Sequence, residues 1–391
     1  MDSAKMVKLA DISELITKGT TPTTLGYEFQ EDGVKFLKIE CFNEQGGFIP
    51  DKVTYISEEC NEKLKRSQIK ENDILFSIAG AIGRVAIATR EMIPANTNQA
   101  LAIIRIREGE AYIPYLKLIL TSKIVRDQFE KQKQGVAQLN LSLKNIGDLE
   151  VPICSLEKQK KFVDLFSKIQ DAIDNRKQEL EQLDILIKAR FVEMFGEHYK
   201  NHVNEMQLNE ICDFIDYRGK TPEKSMSGIP LITAKNVKDN RFSAEPQEFI
   251  PEDNYDEVMT RGIPKVNDVL FTTEAPLGNV CRIPDIYEKF CVGQRLITMQ
   301  PYEGVINSEY LEHALASAEF QEKMWQKSSG STVKGIRSKL LELLTIPVPP
   351  IESQNQFKNF LHQVDKSKLA VQKSLEKTQQ LFDSLMQKYF G

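Results

Sequence analysis

Few residues in this chain have the type and spacing that chemistry requires. Four histidines occur. His198 and His202 stand four apart, but with no neighbouring cysteine and no HExxH glutamate they read as a polar surface pair. The six cysteines, Cys41, Cys60, Cys154, Cys212, Cys281 and Cys291, form no CxxC and match no zinc or disulfide spacing, so reduced packing residues and no metal are expected. GSTVKGIR at residues 330–337 imitates a phosphate loop, but Ile336 stands where the essential lysine belongs. FSIAGAIG at residues 76–83 follows an apolar run without the GxGxxG spacing of a dinucleotide site. No Asn-Pro-Pro-aromatic sequence, with which amino-methyltransferases hold a target base, occurs anywhere. The chain is expected to bind and not to catalyse, with no catalytic residue and no cofactor of its own.

Charge points to where binding occurs. The net charge of −5 argues against a phosphate ligand, since such binding depends on Lys and Arg releasing counterions. Its distribution argues the other way. Residues 131–147 carry lysines and no acid, residues 327–341 carry Lys327, Lys334, Arg337 and Lys339 and no acid, and residues 244–258 carry acids and no base. At 41% hydrophobic and 27% charged residues the composition is that of a globular protein. No run approaches the roughly 18 apolar residues of a membrane helix, and the N-terminus lacks a signal-peptide pattern, so a cytoplasmic location is expected.

The elements that must position these side chains occur twice, with a period of about 195 residues. KENDILF at residues 70–76 recurs as KVNDVLF at 265–271, Gln99 falls on Gln294, Tyr115 on Tyr310 and Gly135 on Gly330. LEVPI at 149–153 falls on LTIPV at 344–348, and Phe390-Gly391 repeats Phe195-Gly196. Near each start, Gly19-Thr-Thr-Pro22 matches Gly219-Lys-Thr-Pro222. Short β-branched runs (residues 34–39, 74–78, 101–106, 269–273 and 296–299), punctuated by Gly, Pro and Asn, predict strands, with a helix over residues 115–133. Each copy therefore begins with a mixed α/β globule of about 150 residues.

The end of each copy has a helical period. Phe162, Phe166, Ile169, Ile173, Leu180, Leu183, Ile187 and Met194 fall on alternating spacings of 4 and 3, with Arg176 and Arg190 at the two missing positions. In the second copy the seam is Phe357, Leu361, Val364, Lys368, Val371, Leu375, Thr378, Phe382, Leu385 and Tyr389. Helices of this length, on the order of 60 Å, are expected to pair with each other, antiparallel, as a spacer, the alternative being that each covers its own globule.

A duplicated α/β unit, each copy followed by a long heptad helix and opened by G-x-T-P, resembles the specificity subunit of type I restriction-modification systems. The resemblance implies an α/β (α+β) fold: two similar target-recognition domains (residues 1–155 and 201–350), separated by a central (156–200) and a distal (351–391) spacer helix in an antiparallel coiled coil with a pseudo-two-fold internal repeat. It implies that each domain reads one half of a split double-stranded DNA target. It further implies docking of two methyltransferase subunits, which bind S-adenosylmethionine and flip an adenine, and of restriction subunits, which use ATP and magnesium. On this reading the candidate DNA contacts are Lys18, Thr20, Thr21, Arg218, Lys220 and Thr221 in the G-x-T-P loops, where a purely structural turn is the alternative. The basic tails add Gln134, Gln138, Asn140 and Lys144 in the first copy and Lys327, Ser329, Lys334, Arg337 and Lys339 in the second. Lys and Arg suit phosphate, Gln and Asn suit adenine. Gln99 and Gln294 read equally as structural amides or readers. Two other readings stay open, a standalone bipartite DNA-binding regulator and a coiled-coil scaffold.

Overall fold

The repeated K-x-N-D segment is a turn into a central strand. A computed structural model describes residues 4–130, 140–217, 222–238, 240–330 and 334–390. In it the run after the turn is the strand Ile74–Ser77, buried throughout, as is its equivalent Val269–Thr272. Asn72 and Asn267 adopt left-handed φ angles of 69° and 70°, which asparagine tolerates better than most residues. The following carboxylate closes each turn: Asp73 accepts from the Lys70 N–H and Asp268 from the Lys265 N–H, both at 2.7 Å. The copies differ in what else meets that buried acid. Arg105 grips Asp73 with two bonds of 2.6 and 2.8 Å, whereas Asp268 accepts from neutral Gln300 at 2.7 Å, and burial raises its pKa.

Both copies build the same sheets. In the first, an antiparallel sheet runs in the order Ser13–Lys18, Leu101–Ile106, Ile74–Ser77, Val85–Ile87. In the second the order is Cys212–Asp216, Leu296–Pro301, Val269–Thr272, Val280–Arg282. Ile74 faces Ile104 as Val269 faces Met299, so the register repeats with the sequence. Each copy also has a three-stranded sheet containing one parallel pair, Val34–Leu37 with Ala95–Thr97 and Ile229–Ile232 with Cys291–Val292. Of the helix expected over 115–133, the described part forms two helices, Ile113–Leu120 and Lys123–Glu130, and residues 131–133 lie outside the described residues. Buried Ser122 breaks it, donating its N–H to Ile119 O and accepting from Arg126 N–H. In the second copy Ser317 stands in the same place, its hydroxyl capping Phe320 N–H. All six cysteines are free. Among the described residues no helix is long and apolar enough to cross a membrane.

The long helices are Leu156–Lys200 and Ile351–Phe390. The chain divides into two compact units, Met1–Lys177 with Lys373–Gly391, and Gln178–Gln372, so each unit takes in part of both helices. Within each unit the helices run antiparallel. In the first, Phe162 packs near Tyr389 and Phe390 at 5.0 and 5.4 Å, Phe166 near Phe382 at 5.3 Å, and Arg176 donates to Ser374 at 3.4 Å. In the second, Asp184 accepts from Lys368 at 2.7 Å, while Phe191 meets Phe357 at 5.4 Å. Ile169, Ile173, Ile187, Leu361 and Val364 are buried in the seam; Leu180, Leu183, Met194, Val371, Leu375, Phe382 and Leu385 are half-buried.

At its ends the seam departs from the 4–3 stripe. At the ends of the helices the buried residues are Phe191 and Phe195, at 6% and 0% exposure, where the 4–3 stripe carries Arg190 and Met194; Phe390 is 3% exposed where the stripe carries Tyr389, at 40%. The reason is geometric. Here the helix packs on a globule as well as on its partner, and steps of four (187, 191, 195 and 382, 386, 390) carry the apolar face around the helix axis. Arg190 turns to Glu193 at 2.8 Å and lies over the Phe360 ring at 5.9 Å. Each globule contributes a tyrosine to the resulting aromatic cluster. Tyr115 meets Phe162 and Phe390, Tyr310 meets Phe195 at 4.9 Å, and both hydroxyls bond a proline carbonyl, Pro152 or Pro347. Buried Gln159 and Gln354, one period apart, tie each helix start down: they accept from Tyr112 N–H and Asn307 N–H and donate to Cys154 O and Pro349 O.

Where the first long helix hands over to the second copy, Glu205 accepts from His202, Lys323 and Thr345 at 2.8, 2.9 and 2.9 Å. Burial works against the charge, but these three bonds outweigh it and hold the carboxyl at about 2, against an ordinary 4.5. The stabilisation is present in full above pH 4.5 and drains as pH falls toward 2. Glu205→Gln is therefore expected to flatten the acid side of the Tm-against-pH curve; an unchanged curve would count against this account.

Candidate nucleic-acid interface

In the first copy the strand Ser13–Lys18 leads directly into G-x-T-P. Gly19 is required by close approach: its N–H donates to Asn98 O at 3.1 Å, and a Cβ there would lie 1.7 Å from Thr97 O. The loop is thus pressed against residues 97–99, where Thr21 donates to Gln99 Oε1 at 2.5 Å. Lys18, Thr20 and Thr21 are half-buried and Gln99 is exposed. Two further backbone bonds extend this rim: Ile78 N–H to Ala100 O at 2.9 Å, and Leu141 N–H to Ile78 O at 3.0 Å. They bring exposed Asn140 beside the Gln99 turn. Lys144 is exposed on the next helix, Leu143–Gly147. Gln134 and Gln138 lie outside the described residues.

The second copy builds its rim at the same positions. Thr273 N–H donates to Arg295 O at 3.2 Å and Ile336 N–H to Thr273 O at 3.0 Å, one period from the bonds of Ile78. Ser329 and Gly335 exchange backbone bonds of 2.9 Å, closing the loop. Glu274, Arg295, Ser329 and Arg337 line one open cleft. Lys327, Ser329, Lys334, Arg337 and Lys339 are all exposed, Lys339 on the helix Ser338–Glu342 that follows Arg337. Arg218, Lys220 and Thr221 lie outside the described residues. The acids of residues 244–258 are partly neutralised, Glu248 pairing with Lys224 and Lys235 at 2.7 and 2.8 Å. Hydrogen bonds from those two lysines lower its pKa.

Arg295 and Glu274 escaped the sequence reading. The available signal was divergence: Arg295 and Glu274 replace Ala100 and Ala79, beside a glutamine that recurs.

Among the described residues no group of His, Cys, Asp and Glu is arranged to hold a metal. His202 pairs with Glu205; His313, whose pKa burial lowers, packs between Phe191 and Phe357. Residues 76–83 connect the antiparallel strands Ile74–Ser77 and Val85–Ile87 as a hairpin, with Gly83 N–H donating to Ser77 O, so they form no strand-to-helix phosphate cradle.

The pattern of the family described as type I restriction modification DNA specificity domain matches residues 1–184 and again 200–381. The chain belongs to that family. As a specificity subunit it supplies the DNA sequence-reading function of a type I restriction-modification system. It is 23% identical over 389 residues to the putative type I restriction enzyme MjaX specificity subunit of Methanocaldococcus jannaschii, covering 92% of this chain and 86% of that protein. Over 135 residues, 34% of this chain and 28% of the other, it is 32% identical to the type I restriction enzyme EcoBI specificity subunit of Escherichia coli. A solved chain described under complex assembly and conformational transition of the type I R-M system superposes with a TM-score of 0.62 at 16% identity, covering 100% of this specificity subunit and 98% of its own length. The type I S subunit from M. genitalium gives 0.52 at 16% identity over 100% and 97%. These likenesses bear on the fold.

Proposed function

We propose that each copy reads one half of a bipartite double-stranded DNA target through the rim described above. The observation that carries this is the recurrence of one backbone frame with different side chains on it. At equivalent places on the two rims Ala100 is replaced by Arg295, Asn140 by Gly335 and Ser142 by Arg337, while Gln99 recurs as Gln294. A frame that repeats while its polar side chains diverge is what two half-sites of different sequence require, because specificity resides in base-edge contacts and the frame only positions them. Gln99 and Asn140 suit an adenine edge, whereas Arg337 and Lys339 suit phosphate.

On this reading the chain is not itself an enzyme. It docks two adenine methyltransferase subunits, which carry S-adenosylmethionine, and restriction subunits, which carry ATP and magnesium, and it acts in the cytoplasm. The test is a genome-wide map of adenine methylation in cells expressing the chain with its methyltransferase, against cells lacking only this chain. A split motif that vanishes with the chain supports the proposal; motifs indifferent to it would sink it. For the phosphate contacts, Arg337→Ala with Lys339→Ala is expected to weaken binding by the complex uniformly across sequences. The same variant should reduce the slope of log K against log salt by about 1–2. Lost discrimination at unchanged affinity would refute that assignment.

A further inference from the structure

The geometry points to Arg295 as a reader of guanine in the half-site of the second domain, with Glu274 as its positioning residue. The inference rests on the DNA-reading function just proposed. Arg295 has a fixed backbone and an exposed side chain. Its carbonyl accepts from both the N–H and the hydroxyl of Thr273, at 3.2 and 3.3 Å, and buried Leu296 follows at once as the start of a strand. The side chain is 61% exposed, with Nε 3.5 Å from Glu274 Oε2.

An ion pair this exposed contributes little to stability, and the repeat shows that the frame does not need it. The first copy keeps the corresponding backbone bonds with Ala100 and Ala79 in place of the pair. What the pair does accomplish is orientation. A carboxylate beside Nε leaves the two terminal guanidinium nitrogens as a fork available to a ligand. Phosphate is disfavoured there, because it would meet the Glu274 carboxylate. A neutral base edge meets no such repulsion, and guanine alone offers two acceptors, O6 and N7, matched to the fork in the major groove. Arg337, on the same cleft, has no ion pair among the described residues, so no paired carboxylate stands in the way of a phosphate.

The test uses the full chain with its methyltransferase subunits and maps methylated motifs for the unaltered protein, Arg295→Ala and Glu274→Ala. The expected result is that Arg295→Ala relaxes one guanine position of one half-site, leaves the other half-site intact, and is followed more weakly by Glu274→Ala. An unchanged motif, or uniformly weaker methylation at the same motif, overturns the proposal. Absence of any split motif for the unaltered protein would instead overturn the DNA-reading function beneath it. Should Arg295→Ala abolish all methylation, binding by the unaltered complex decides. With duplexes carrying 7-deazaguanine at each guanine of that half-site in turn, affinity is expected to fall roughly 5- to 150-fold at one position. No loss at any position overturns the proposal.

Discussion

Phe195→Ala is expected to cost the second unit about 3–5 kcal/mol, the range for emptying a fully buried aromatic site. Phe195 lies 4.9 Å from Tyr310, 5.2 Å from Phe191 and 5.6 Å from Phe357, so it closes the contact of both long helices with the globule. The cavity would open where three elements meet, and no single rotamer change could refill it. The chain has one tryptophan. Trp325 stands on the helix Ala318–Lys327, whose Phe320 and Met324 lie in the same core, so its fluorescence reports unfolding of this unit. The midpoint in guanidinium should fall sharply for Phe195→Ala and only slightly for Phe195→Leu. Equal midpoints for Phe195→Ala and the unaltered chain would refute the role given to this contact.

Arg282→Ala is expected to be comparably damaging, by a different mechanism. The guanidinium donates to Glu312 at 2.7 Å and to Glu309 at 3.1 Å. The Glu309 side chain is 4% exposed, with Lys358 and His362 next nearest at 3.5 and 3.7 Å. Removing the arginine strands the largely buried Glu312 and leaves Glu309 to the more distant Lys358, and breaking a buried pair from one side costs about 3–5 kcal/mol. The cost comes from the charges left behind, not from the attraction lost. Arg282→Met combined with Glu309→Gln and Glu312→Gln should therefore recover much of the stability that Arg282→Ala loses. If the triple variant is less stable than the single one in the same fluorescence assay, this account fails. Ile87 occupies the matching place in the first copy, so the network belongs to the second globule alone.

Whatever depends on spacing along the chain was readable without the fold. The 195-residue repeat was legible in recurring segments, and the strands and the long helices follow from local periodicity, because side chains on one face of a helix or strand recur at set intervals. The K-x-N-D segment was legible only as part of the repeat; that it is a turn, closed by its asparagine and aspartate within four residues, came from the structure. Periodicity misread the helix over 115–133, where a serine that looks innocuous in sequence is buried and breaks the helix. It also missed the shift to Phe191 and Phe195, because a heptad count assumes a single partner along the whole helix, while these turns meet a globule as well. Gln159 and Gln354 resemble any other polar residue on a helix until their amides are seen to satisfy backbone groups of residues 47 positions away. Arg295 and Glu274 are separated by a hairpin and further strands, and only the bond from Thr273 to the Arg295 carbonyl places them together. The sequence by itself determined the elements and their duplication, since these arise from interactions between near neighbours. Which polar side chains share a rim was decided by the tertiary structure, since that rests on backbone bonds between distant strands.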